Sequence, residues 1–189
     1  MLWPAVSLTG ALMLLTGVAY PALLYAVGLI SIPWTAGGSL VRDPSGRIVG
    51  SALIGQPFVS TRYFHGRPSA VGYDAAGSGA SNLGPTSPQL ADSMARYAER
   101  FRAANGLALG AVLPPDAVTA SGSGLDPDIS PEDAALQIRR VALARGARVD
   151  RVAILVAAHV TRPTLGVIGE PRINVLRLNL ALDSALTPR

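Results

Sequence analysis

A serine nucleophile needs a base, and this 189-residue chain holds two histidines, His65 and His159. Neither accompanies the Gly-x-Ser-x-Gly elbow that exposes such a nucleophile. His159 falls on an apolar helical pattern, where a locally satisfied histidine is the plainer expectation. No His-x-x-x-His pair or cysteine is present to build a metal site or a thiol centre. The chain has no lysine, which rules out a Walker-type phosphate loop. Gly77-x-Gly79 and Gly122-x-Gly124 each lack the third glycine of a dinucleotide fingerprint. Ser121-Gly122-Ser123-Gly124 does precede a helix start, where free backbone N–H groups could hold an anion. The plainer reading is a tight loop capping that helix. No catalytic set is visible.

The element that positions everything else is the apolar stretch from Trp3 to Trp34, because the first charged side chain in the sequence is Arg42. As a helix, Ala5–Ile30 would cover about 39 Å at ~1.5 Å per residue, against a hydrocarbon core of about 30 Å. Lipid offers no partners to the backbone, so a helix is required. Trp3 and Trp34 suit the two headgroup levels, and Pro21 predicts an internal kink. A cleaved signal peptide would show a basic start and an apolar core of about 7–15 residues. Neither holds, so residues 1–34 are expected to be a permanent anchor and residues 35–189 one soluble domain. Thr9, Gly10, Thr16 and Gly17 recur at heptad spacing and offer a small-residue face to a partner helix. Arg42 and Arg47 follow the span and lean towards a cytoplasmic domain, although that rule loses force for long translocated segments.

The net charge of +4 is carried by scattered arginines without aromatic interleaving, which argues against a nucleic-acid stripe. Beyond the anchor, Ser39–Arg42 and Arg47–Ile54 flank Asp43-Pro44-Ser45-Gly46, a type I turn signal that predicts a hairpin. Phe58, Tyr63 and Phe64 are expected in the core, with Arg62 and Arg67 as the alternative docking face. Residues 75–88 predict an ordered irregular loop. Ser87-Pro88 opens a helix ending at Gly106, whose stripe Leu90, Met94, Tyr97 and Phe101 predicts core packing. Ser130-Pro131-Glu132-Asp133 opens another, ending near Gly146. Asp150 is expected to cap a third, with Val152, Leu155, Val156 and His159 inward. Leu176, Leu178, Leu180 and Leu182 alternate with other residues and predict a strand over Ile173–Leu182. The fold class is α+β: one N-terminal transmembrane helix, then one compact domain of mixed helix and sheet.

Several ordered blocks carry a resemblance. They are Gly50-Ser51 with Leu53-Ile54-Gly55-Gln56, Tyr63-Phe64 with Arg67-Pro68-Ser69-Ala70, and Ser81-Asn82-Leu83-Gly84-Pro85-Thr86. Val118 through Pro127, Gln137 with Arg140-Val141-Ala142, Ala144-Arg145-Gly146, Gly169-Glu170-Pro171 and Asn174 to Leu182 continue the series. Together with the single N-terminal span, these blocks resemble the C subunit of the bacterial Kdp potassium-transporting P-type ATPase over nearly the whole chain. Ser87, Asp128 and Ala80 depart from the usual family residues.

The resemblance implies an accessory, non-catalytic subunit of an inner-membrane pump. The implied partners are a channel-like potassium-binding subunit, an ATP-hydrolysing P-type subunit and a small single-span subunit. It implies a catalytic chaperone that raises the ATP affinity of the hydrolysing subunit. The Ser121–Gly124 loop, with Gln137, resembles a nucleotide-related signature. ATP and potassium would be handled by the complex, with no cofactor held by this chain alone. Family architecture also implies a soluble domain outside the cell, where no loop reaches cytosolic ATP across the apolar slab. An effect on ATP affinity would then be coupling between distant sites. Ser81, Asn82, Leu83, Gly84 and Pro85, with the small-residue face of the anchor, are the expected partner contacts. A direct nucleotide-binding module and a membrane-anchored hydrolase are the alternatives.

Overall fold

From Leu2 to Ser31 the backbone of the computed structural model is one continuous apolar helix that buries nothing against the rest of the chain. The structure describes residues 2–43 and 45–186. The span comprises α1 (Leu2–Leu14), a π turn (Leu15–Ala19) and α2 (Tyr20–Ser31). The disturbance expected at Pro21 takes the form of this π turn. Proline lacks an N–H and its ring crowds the carbonyl four residues back, at Gly17. A π turn inserts one extra residue there and widens the turn. The helix breaks at Ile32, and Pro33 opens the single turn α3 (Pro33–Ala36).

The expected hairpin forms, with β1 (Leu40–Arg42) antiparallel to β2 (Ile48–Ser51), both shorter than expected, and Leu40 opposite Ser51. Asp43 Oδ1 accepts the N–H groups of Ser45 at 2.9 Å and Arg47 at 3.0 Å, which closes the turn. Pro44 lies outside the described residues. Residues 57–87 contain no helix or strand, in line with the punctuation by proline, glycine and serine.

Helix α4 (Pro88–Asn105) ends at Gly106 in the left-handed conformation, as expected, but the Ser87 hydroxyl makes no cap bond. Its stripe of Leu90, Met94, Tyr97 and Phe101 is only half-buried and stays outside the main core, contrary to expectation. Among the helices, it packs chiefly on α5 (Pro115–Val118) and α6 (Pro131–Arg145). The strand pair β3 (Asp128–Ile129) and β4 (Ile173–Asn174) runs antiparallel.

Helix α6 is capped by Ser130, whose hydroxyl accepts from Asp133 N at 3.0 Å, and stops at Gly146. The N-cap position of helix α7 (Val149–Ala158) is Arg148, which makes no side-chain cap bond, rather than Asp150, which sits in the first turn paired with Arg148 at 2.8 Å. His159 closes α7, with Nδ1 donating to the Leu155 carbonyl at 2.8 Å.

The strand expected over Ile173–Leu182 is overturned beyond Asn174, because Val175–Leu186 is a helix, α8. Val175, Leu178, Asn179 and Leu182 are buried at helical spacing. The alternating leucines fit both periods, and Leu, Ala and Arg favour a helix where β-branched residues are scarce. Asn174 starts it by accepting the Arg177 N–H at 3.1 Å. The core lies among α6, α7 and α8, with Phe64, Ile129 and Ile173 buried in it and Phe58 packed against it. Tyr63 is half-buried and reaches Asp183 through its hydroxyl.

Candidate functional site

Segment 61–65 leaves a turn, in which Tyr63 N donates to the Ser60 carbonyl at 3.1 Å, and lies outside the described strands; helix side chains satisfy much of the rest of its backbone. Arg140 donates through Nη1 to the carbonyls of Thr61 at 2.7 Å and Tyr63 at 2.8 Å. Arg145 Nε donates to the Arg62 carbonyl at 2.7 Å. Asn179 holds both polar groups of Phe64, and Gln137 holds both of His65. Buried backbone groups left unpaired cost about 1–3 kcal/mol each, so these four side chains supply the partners that an irregular buried segment lacks.

Gln137 is therefore fully occupied. Its Nε2 donates to the His65 carbonyl at 3.0 Å and to Asp133 Oδ1 at 2.7 Å, while Oε1 accepts from His65 N and Arg140 Nη2. Burial pushes the Asp133 carboxyl up to about 7 and the Arg140 guanidinium down to about 10. Burial, and next the Arg140 charge, also lower His65. An imidazole held neutral beside a guanidinium is a structural group here, with Nε2 turned to the Ser60 carbonyl. Sequence reasoning placed Arg140, Arg145 and Asn179 only within blocks of resemblance. The available signal was polar residues at inward helical positions.

The Ser121–Gly124 loop is clasped to residues 68–79. Ser121 N donates to the Pro68 carbonyl at 3.1 Å, Ser69 Oγ to the Gly124 carbonyl at 2.7 Å, and Gly79 N to the Ser123 carbonyl at 2.9 Å. Gly124 has φ +69°, and a Cβ there would lie 2.8 Å from the Gly79 carbonyl oxygen. Glycine is required by both conformation and space. Gly122 and Ser123 face solvent. The helix start beyond this loop already has an anion: Asp116 accepts from Ser130 N at 2.6 Å and from its hydroxyl at 3.0 Å. Glu132 adds further negative charge in the first turn, beside the buried Asp133 carboxyl.

The expected partner contacts are open. Gly10, Gly17 and Gly84 have nothing within 4 Å of an added Cβ. Ser81, Asn82 and Pro85 are exposed, Leu83 is half-buried, and Asn82 has φ +53°. Thr9 is exposed on α1, whereas Thr16 and Gly17 sit within the π turn, so seven-residue spacing no longer puts all four on one regular helical face. Thr16 Oγ1 donates back to the Leu12 carbonyl at 2.8 Å.

A joint links the anchor to the domain. Trp34 Nε1 donates to the Leu40 carbonyl at 3.2 Å, and the Arg177 guanidinium lies 5.5 Å from the Trp34 ring centroid. Ser51 Oγ donates to the Gly38 carbonyl at 2.7 Å, and Asn174 Nδ2 to the Ala52 carbonyl at 3.0 Å. The end of the membrane helix is thereby tied through the hairpin to the start of α8.

Comparison with known proteins matches residues 2–184 to the family described as K+-transporting ATPase, c chain. A protein of Gemmatimonas aurantiaca named "Potassium-transporting ATPase KdpC subunit" is 56% identical over 186 residues, 96% of this chain and 91% of that protein. Proteins of the same name from Burkholderia vietnamiensis and Rhodopseudomonas palustris are 54% and 49% identical. Those alignments cover 96% of this chain in each case, with 95% and 96% of the relatives. With one apolar span among the described residues, an α+β domain and this match over nearly its full length, the chain belongs to the KdpC family, the c chains of K+-transporting ATPases.

Proposed function

We propose that this chain is a non-catalytic accessory subunit of an ATP-driven potassium pump in the bacterial inner membrane, with its domain on the extracytoplasmic side. It completes the assembly of the channel-like, ATP-hydrolysing and small single-span subunits, and it raises the ATP affinity of the hydrolysing subunit. The observation that carries this reading is the joint at Trp34. An external domain can bias a distant site only through an element held in defined relation to it, and Trp34, Arg177 and Asn174 supply that relation. ATP then stays with the hydrolysing subunit, in keeping with the internal occupation of Gln137 and the acidic start of α6. Ser121–Gly124 serves as a clasp in this reading.

The test is the KM for ATP of the pump purified with the wild-type chain, without it, and with Trp34→Ala. Coupling free energies of this kind correspond to about 5–150-fold, so KM should rise several-fold without the chain and partly with Trp34→Ala. An unchanged KM in both preparations would refute the modulatory role.

A further inference from the structure

An acidic groove of about 950 Å³ opens on the domain. Val112, Leu113 and Pro114 from one segment and Glu170, Pro171 and Arg172 from another contribute to its lining. Asp116, Asp126, Asp128 and Glu132 bring its carboxylates to five, against the guanidiniums of Arg67 and Arg172. The groove is net negative in a chain that is net positive. Arg67 pairs with Asp126 at 2.9 Å and Arg172 with Asp128 at 3.0 Å. Asp116 is held by neutral donors of Ser130, and the exposed Glu132 and Glu170 have no ion pair among the described residues.

Both segments lead into loops that expose apolar side chains. Leu109 and Val112 are 89% and 91% exposed. Residues 161–172 form an arm closed by the Thr161–Arg172 and Thr164–Ile168 bridges. Its tip exposes Leu165 at 86% and Val167 at 81%. Leu165 also has φ +56°, followed by Gly166 at +77°. Asparagine or glycine is at ease there, whereas a residue such as leucine is disfavoured by about 1–2 kcal/mol. Position 165 is thus costly in solvation and in backbone alike, which fits a side chain meant for a partner.

We infer that this groove and arm dock a loop of a neighbouring pump subunit in which an arginine or lysine is flanked by apolar residues. The cation enters between Glu132 and Glu170, and the apolar flanks meet Val112 and Leu165. Charge complementarity selects a basic protein segment over a membrane, because anionic headgroups are repelled by this floor. The inference rests on the accessory-subunit reading and adds the surface and the chemistry of the contact.

The test is photo-cross-linking of the whole pump carrying Leu165→p-benzoylphenylalanine. The expected result is an adduct with one partner subunit, mapped to a segment with a basic residue between apolar ones. Adding Glu132→Gln and Glu170→Gln should lower that adduct ~10-fold, the loss of one hot-spot contact. Separately, Leu165→Asn should leave the thermal midpoint of the chain unchanged or raised while reducing its recovery with the pump. Adducts only with lipid, only with a second copy of this chain, or none in a pump that still co-purifies would overturn the inference alone. Failure of the wild-type chain to co-purify would overturn the underlying reading and this inference with it.

Discussion

Asn179, on α8, makes a two-way amide pair with the backbone of Phe64, accepting its N–H at 2.8 Å and donating to its carbonyl at 3.0 Å. The two residues lie 115 positions apart, and both are fully inside the domain. Asn179→Leu would keep volume but orphan two buried groups. At about 1–3 kcal/mol per group, the loss should be roughly 2–6 kcal/mol. A thermal midpoint lowered by roughly 4–24 °C in the detergent-solubilised chain is expected.

Arg140 serves four partners at once: Asn105, Thr61, Tyr63 and Gln137. A lysine ammonium is one compact charge without the planar fork. Arg140→Lys should therefore destabilise by at least ~2 kcal/mol, and limited proteolysis should cut first near residues 61–65.

Asp133 provides the pH dependence. Burial raises its carboxyl from 3.8 to about 7 in the folded chain. Between those values the native state binds a proton that the unfolded state lacks, so this group's stabilising contribution is full below about pH 4 and lost as pH rises towards 7. The slope is at most about 1.4 kcal/mol per pH unit. Comparing thermal midpoints at pH 5 and 7, Asp133→Asn should narrow the wild-type difference. An identical pH profile in the variant would contradict this assignment.

Gly124→Ala puts a methyl group against Val71 and the Gly79 carbonyl in a left-handed backbone. A loss of about 1–3 kcal/mol is expected from strain of this kind. Faster hydrogen exchange should appear in residues 69–79 and 121–125 together, because the clasp opens as one unit.

A Cβ added at Gly17 has nothing within 4 Å beyond its own helix backbone and its chain neighbours, so Gly17→Leu changes mainly the surface of the span. Co-purification with the partner subunits should fall if this face packs against another helix. Unchanged recovery would show that the small-residue face is not a contact.

Local signals made much of the fold legible. Asp43 to Gly46 announced the hairpin, and Ser130 with Gly146 bounded α6, because turns and caps are set by neighbouring residues. The family blocks identified the chain because their match extends along its length. Leu176 to Leu182 misled because alternate leucines suit two periods, and the decisive partners, Phe64 and the core of α6 and α7, are remote in sequence. The stripe on α4 misled in another way: periodicity shows that a face is apolar, not how much lies against it. The grip of Gln137, Arg140, Arg145 and Asn179 on residues 61–65 was hidden, since an inward polar residue on a helix looks like a solvated one until its distant partner is in place. The joint at Trp34 was half visible, as an interfacial tryptophan, while Arg177 lies 143 residues further on.

The most direct measurement is the side of the membrane on which the domain lies, read from alkaline phosphatase and fluorescent-protein fusions placed after Arg189 in cells making the whole pump. An active phosphatase with a dark fluorescent fusion is expected, which leaves the Trp34 joint as the route to ATP affinity. A bright fluorescent fusion with inactive phosphatase would contradict the account and put Ser121–Gly124 on the nucleotide side.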